Sequence, residues 1–254
     1  MNIIVLEPEE IGSRIPRADR RYEHVKKILK KGPGDRMAAG IACDADSIAA
    51  GAIGEATVLE LDDSGMILDF QAFEGSRGTP PALAPLRLVL GFPRPIQAAR
   101  ILKDLTSLGV EEIHLTGTEL GEKSYSQSSI FKDGDFRRSL IEGAEQAGNP
   151  RLPRVFAHRT LRRCLEDLAD REASPRGLRI YLHPYGDLER MGALGRIEAP
   201  VTLAVGSERG WTDAEISALG AAAFVPRRLG ERILKTETAA LTASVLVLAG
   251  LGWI

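Results

Sequence analysis

The sequence predicts an α/β chain in two parts, a small, mostly β domain over residues 1–80 followed by a parallel sheet covered by helices over residues 81–254. Three observations predict it. From residue 86 onward, apolar β-type runs alternate with amphipathic helical stretches, the pattern of strands buried on both faces between helices. Before that point the β-type runs are short and separated by Gly and Asp, as in a meander of strands and turns. Between the two textures lies EGSRGTPPALAP, a Gly, Ser and Pro-rich stretch that reads as a linker and sets the boundary near residue 80. A length of 254 residues agrees with two domains, at roughly 100 to 200 residues each.

In chain order, DRRYEHVKKILKKG reads as a helix capped by Asp19, with Tyr22, Val25, Ile28 and Leu29 on one stripe, basic residues facing outward and Gly32-Pro33 as the stop. GAIGEATVLELDD and MILDFQAF read as strands. In the second part the order is LRLVLG, PIQAARILKDLTSLG, EEIHLTG, DFRRSLIEGAEQAG, LRRCLEDLAD, LRIYLHP, VTLAVG, TDAEISALG, AFVPRRLG and ETAALTASVLVLAGL. Gly109 closes the first of these helices, and Thr212 with Glu215 forms a capping-box pattern at the start of a later one.

Charge is unevenly spread behind a net value of −2. Residues 14 to 36 hold nine Lys or Arg against three acids, whereas residues 37 to 80 hold eight acids against Arg77. The N-terminal part therefore presents a basic face suited to an anionic partner. The opening MNIIVLEPEE carries acids where a secretion signal is basic, and no apolar run approaches the roughly 20 residues needed to cross a bilayer. The chain reads as soluble and cytoplasmic. Cys43 and Cys164 lie far apart without a CxxC spacing, and histidines number only four, so the sequence indicates neither a disulfide framework nor a metal site.

Ligands of open α/β sheets bind beyond the C-terminal ends of the strands, which singles out three loops. After VTLAV comes GSERGWTDAE, where two glycines flank Glu208 and Arg209 before a capped helix. Glycines there either let backbone amides approach a ligand or simply make the tight strand-to-helix turn. After LRIYL comes HPYGD, in which His183 is either a proton carrier or a structural histidine. After FVPRR comes LGERILKTETA, with Gly230 at its apex, donors in Arg232, Lys235, Thr236 and Thr238, and an acceptor in Glu237. The chain has no GxGxxG after a strand, no GxxxxGK[ST], no GxSxG and no HExxH. Those absences leave a site of three glycine-containing loops, suited to a cofactor held mainly by backbone groups.

GSERGWTDAEI followed by LGERILKTETAAL resembles the paired C-terminal signature of the bacterial ribosomal small-subunit methyltransferase E family, within the SPOUT superfamily of trefoil-knotted methyltransferases. LTSLGVEEIHL, RRSLIEGAEQAGNPRLPRV and the N-terminal DRRYEHVKKILKKGPGDR also resemble segments of that family, so the likeness spans nearly the whole chain. It implies a trefoil-knotted parallel sheet preceded by a PUA-like, RNA-binding β-barrel domain, acting as a homodimer. S-adenosylmethionine would lie in a pocket lined by Leu182, Val205, Gly206, Gly210, Leu229, Gly230, Ile233 and Leu234. The implied reaction is methyl transfer to N3 of a uridine in small-subunit (16S) ribosomal RNA, with no metal. Arg232 would stabilise charge, Glu208 or Glu237 would accept the N3 proton, and Arg17, Arg20, Arg21, His24 and Lys27, with Arg137 and Arg138, would dock RNA. Four residues depart from the family pattern. Ser207 and Arg209 stand in a loop that usually reads Gly-Pro-Glu-Gly-Gly, Lys235 stands for Arg, and Ser107 for Glu. Alternatives are methylation of another RNA, such as transfer RNA at a ribose oxygen, and a non-catalytic ribosome-assembly protein on the same scaffold.

Overall fold

The computed structural model describes residues 1–44, 51–128, 131, 136–171 and 177–254. The chain divides into two compact units, Met1–Ala82 with Ile141–Leu152, and Leu83–Leu140 with Pro153–Ile254. The first unit thus takes in a segment that contiguous domains over 1–80 and 81–254 leave out.

In the first unit, β1 (Ile4–Leu6), β2 (Arg14–Pro16), β3 (Arg36–Ile41), β5 (Ala52–Asp62) and β6 (Gly65–Ala72) form a mixed sheet of order β1-β3-β5-β6-β2. Only the β1–β3 pair is parallel. The short β4 (Cys43–Asp44) pairs instead with β9 (Arg151–Leu152). The later segment is tied in by backbone: Asn2 N donates to Glu145 O at 2.9 Å and Cys43 N to Pro150 O at 3.2 Å. Ile4, Leu6, Ile15, Tyr22, Val25, Met66 and Leu68 build the core of this unit.

Asp19 caps α1 (Arg20–Glu23) as expected, accepting from Arg21 N at 2.8 Å, but the helix continues as a π turn over His24–Ile28 and stops before Gly32. Leu29 N reaches back to His24 O at 2.9 Å. An i→i−5 turn carries an extra residue, which rotates the stripe off the core. Tyr22 and Val25 are buried, while Ile28 is 68% and Leu29 37% exposed. The expectation that the basic residues face outward also fails for Arg21, which is buried and donates to Val5 O at 2.9 Å, to Glu10 at 2.5 Å and to Asp19 at 2.8 Å. Arg20 pairs with Glu142 at 3.3 Å and with the buried Glu145. Two buried or half-buried carboxylates per guanidinium explain the inward turn, since a charge leaves water only when paired.

In the second unit, β7 (Ala84–Gly91), β8 (Val110–Thr116), β10 (Arg154–His158), β11 (Leu178–Leu182), β12 (Val201–Val205) and β13 (Val225–Arg227) form a fully parallel sheet of order β10-β8-β7-β12-β11-β13. β10 has no counterpart in the sequence reading. Its residues are mostly half-buried and include Arg154 and His158, so it lacks the apolar run of a central strand. Its helices are α2 (Pro95–Ser107), α4 (Leu161–Arg171), α5 (Asp213–Ala221) and α6 (Thr236–Leu251), while α3 (Phe136–Ala147) has residues 136–140 in this unit and 141–147 in the first. Asp135, read as the start of α3, lies outside the described residues. The helices α2 and α6 pack together, with α6 over β7 and β12, while α4 lies against β8 and β10. Leu161, Cys164 and Leu168 of α4 and Leu219 of α5 share a core with Val89, Tyr181, Ala204 and Trp211. Burial there pushes the Cys164 thiol pKa up to about 12. Gly109, at φ +79°, ends the α2 segment, and Thr212 and Glu215 make both bonds of the capping box. Among the described residues no helix is long and apolar enough to cross a membrane.

Candidate active site

The strands β12, β11 and β13 are neighbours in the sheet, so the three loops singled out above emerge side by side at its C-terminal edge. The first is a closed turn. Gly210 N donates to Ser207 O at 2.9 Å, with Gly210 at φ +76°. A Cβ on Gly206 would stand 3.1 Å from Gly210 C and 3.2 Å from the Trp211 ring, and one on Gly91 only 2.5 Å from Ser207 N. Small residues are thus required by packing at the end of β7 and β12 alike. Ser207 is buried, and its hydroxyl lies 3.4 Å from Gly210 O, so the turn closes without the family's proline. Glu208 is exposed and accepts from Arg94 N at 3.4 Å, at the N-cap of α2, where a helix terminus favours negative charge.

The second and third loops are stitched together. His183 N donates to Arg227 O at 3.0 Å, Arg228 N to Glu189 O at 3.0 Å and Met191 N to Arg228 O at 2.8 Å. Arg190 and Arg228 both pair with Glu231, at 2.6 and 3.4 Å, and Arg227 pairs with Glu189. Glu231, which the sequence offers only as a charged loop residue, is therefore a tie between the two loops. His183 packs its ring edge-on to Tyr185 at 5.7 Å.

Leu182, Leu229 and Gly230 are half-buried on this edge and Val205 and Gly206 are buried. A Cβ on Gly230 would meet no atom within 4 Å. Ile233 is 69% and Leu234 38% exposed, an unusual display for two apolar side chains in a loop. Arg232 and Lys235 are exposed, and Glu237 is half-buried in the first turn of α6. Among the described residues no hydrogen bond or ion pair joins Glu208, Arg232 and Glu237.

Beyond the ends of β8 and β10, at the same end of the sheet, a cavity of about 1060 Å³ is lined in part by Thr118, Glu119, Lys123, His158, Arg159 and Arg162. Sequence reasoning missed this wall because the β10 strand that frames it was missed. Its loop is anchored: Glu119 N donates to the buried Glu215 carboxylate at 2.9 Å, and Thr212 Oγ1 to Glu119 at 2.7 Å.

The residues expected to dock RNA are dispersed in their roles. Arg17 and Lys27 are exposed, paired with Asp63 at 3.5 Å and Glu23 at 2.5 Å. Arg20 and Arg21 are held by acids, as above, and burial lowers the pKa of half-buried His24, with the N-terminus and Arg20 adding to the effect. Arg137 is half-buried and Arg138 exposed at the start of α3.

An RNA methyltransferase domain family matches residues 80–248. The ribosomal RNA small subunit methyltransferase E of Treponema pallidum is 35% identical over 252 residues, 98% of this chain and 91% of that protein. The chain belongs to the ribosomal RNA small subunit methyltransferase E family. A second methyltransferase E relative, from Borreliella burgdorferi, is 30% identical over 251 residues, 97% of each chain. Among solved structures, the methyltransferase E of Neisseria gonorrhoeae bound to S-adenosyl methionine superposes with a TM-score of 0.71 at 20% identity, covering 97% of both chains. A Legionella pneumophila protein, also solved in complex with that cofactor, gives 0.71 at 21% identity and 98% coverage of both. These two likenesses concern the fold, which in this chain delivers three loops to one edge of the sheet.

Proposed function

We propose that this chain transfers a methyl group from S-adenosylmethionine to N3 of a uridine in small-subunit (16S) ribosomal RNA, working in the cytoplasm as a homodimer. The observation that carries the reading is the open flank of Gly230 between two adjacent strand ends, in a chain of this family. The residues fit the cofactor. Leu229, Ile233 and Leu234 offer apolar surface for an adenine face, while Gly230, Gly206 and Gly210 leave backbone accessible, as do the ends of β11 and β12 at Leu182 and Val205. When bound, S-adenosylmethionine supplies an electrophilic methyl group.

The chain's own residues then have two tasks. Uracil N3 carries a proton at neutral pH, and a carboxylate, Glu208 or Glu237, accepts it. Negative charge spreads onto the uracil oxygens, where the Arg232 guanidinium stabilises it. N3 is engaged in a base pair, so the uridine enters unpaired; Arg17 and Lys27 of the first unit, and Arg138 of the second, bind RNA phosphates.

Further observations support the family's architecture. Ile197 N donates to Gly250 O at 3.0 Å, which puts α6 against the loop that follows β11 and supports a trefoil knot there. The five-stranded mixed sheet supports a PUA-like first domain. Ile96 at 68% and Val245 at 37% exposure, on the packed helices α2 and α6, support a face covered by a second copy.

Mass spectrometry of ribosomal RNA nucleosides from a strain lacking the chain tests the reaction. Loss of 3-methyluridine, restored by the intact gene, is expected; its retention rejects the reading. In purified protein, Arg232→Ala is expected to lower kcat by about 10²-fold while leaving cofactor affinity within threefold or so, as for a lost transition-state donor. An unchanged kcat removes Arg232 from the mechanism.

A further inference from the structure

One buried cluster lies outside everything the methyl transfer uses. His114 on β8 and His158 on β10 project from the same face of the sheet, since Phe156 is registered with His114 and His158 with Thr116. Their ring planes are within 9° of parallel, and His114 Nδ1 lies 3.0 Å from His158 Nε2. Cys164, on the α4 helix that covers this face, brings its Sγ so close that the three potential ligand atoms all lie within 4.8 Å of one another. One helical turn along α4, Asp167 Oδ2 is 4.0 Å from His114 Nδ1 and also accepts from Arg171 Nε at 2.7 Å. His114 and Cys164 are fully buried.

The surroundings orient this set. His114 Nε2 is 3.0 Å from Glu112 Oε2, and the Glu112 carboxylate is held by Arg154 and by Arg87 at 3.4 Å. A carboxylate flanked by two guanidiniums stays ionised and accepts the Nε2 proton, which leaves the Nδ1 lone pair of His114 directed at His158 and Cys164. That is the carboxylate–histidine arrangement found behind metal-ligating imidazoles.

We propose that His114, His158 and Cys164, completed by Asp167, form a zinc(II) site that fastens β8, β10 and α4 together beside the cavity. Two imidazoles, a thiolate and a carboxylate are the donor types zinc takes in a tetrahedral site. On binding, the Cys164 thiol releases its proton to solvent and the sulfur bonds the ion, while His114 and His158 bind as neutral rings. The ligands are scattered at positions 114, 158, 164 and 167, so no sequence spacing announces them.

The test is titration of the chelator-treated full-length protein with cobalt(II), whose visible spectrum reports tetrahedral geometry and whose charge-transfer absorption reports a bound thiolate. Saturation at one ion per chain with both signals is expected. Cys164→Ala should lose the charge-transfer band, and His158→Ala, a change at a partly exposed ring, should weaken binding beyond about 100-fold. Glu112→Gln should weaken it by about 10- to 100-fold. No saturable binding, a charge-transfer band that survives Cys164→Ala, or unchanged affinity in a folded His158→Ala protein overturns the proposal and leaves a hydrogen-bonded histidine pair in its place.

Discussion

Gly230→Val is expected to abolish S-adenosylmethionine binding in a protein that remains folded. A Cβ at this position meets no atom within 4 Å outside its chain neighbours, so the first added carbon has room within the chain. The valine side chain occupies the open flank beside Leu229 and Ile233 where the proposed pocket needs bare backbone. An affinity loss of about 100-fold or more, equivalent to about 2.8 kcal/mol, is the expected magnitude by calorimetry. Thermal unfolding of the variant without cofactor should match the parent. Full affinity in the variant would put the cofactor elsewhere, for example in the cavity beside His158 at this end of the sheet.

Arg21→Ala is expected to cost about 3 kcal/mol of stability, the low end for breaking a buried ion pair, because Glu10 and Asp19 keep side-chain exposures of 26% and 24%. Both acids lose the guanidinium that hydrogen-bonds them, and Val5 O loses a donor. Burial works to raise the Asp19 pKa, but hydrogen bonding and charge from Arg21 outweigh it and hold the carboxyl below its ordinary value. A depressed folded-state pKa means that this contribution is present above the ordinary aspartate range and fades as pH falls through the lowered value. Urea unfolding at neutral and acidic pH checks both points. The exposed Arg17 and Lys27 should behave differently: alanine there changes stability by less than about 1 kcal/mol but lowers the salt slope of RNA binding by about 0.7 for each phosphate left without its cation. Equal stability of Arg21→Ala and the parent would contradict the inward role.

Much of the second unit was legible because its strands and helices announce themselves by period. Val201–Val205 is buried throughout, and its apolar run reads as a central strand without ambiguity. The capping box at Thr212 and the three loops could be found because local chemistry specified them. The π turn at His24–Ile28 could not, since a 3.6-residue stripe and a π-wound one look alike over two turns. Nor could the fates of Arg20 and Arg21: sequence shows a run of positive charge, whereas Glu142, Glu145 and Glu10 that neutralise it come from other segments. The same holds for His114, His158 and Cys164, which only the pairing of β8 with β10 and the seating of α4 bring together. The match of three Gly-containing loops to adjacent strands is the intermediate case. Their residues were readable, and the strand order β12-β11-β13 supplied the adjacency.

The placement of α6 across β7 and β12 has a consequence for how the chain is made. Residues 84–91 leave the ribosome early, yet they pair with residues 201–205 and are roofed by residues 236–251. Until α6 emerges, its packing on β7, which carries the fully buried Leu86, Leu88 and Leu90, is missing. Closure of the second unit thus waits for residues 236–251, a high-contact-order arrangement that folds slowly and exposes sticky intermediates. Nascent chains stalled before residue 236 would depend on a holding chaperone, whereas the first unit can bring together all but its 141–152 segment long before.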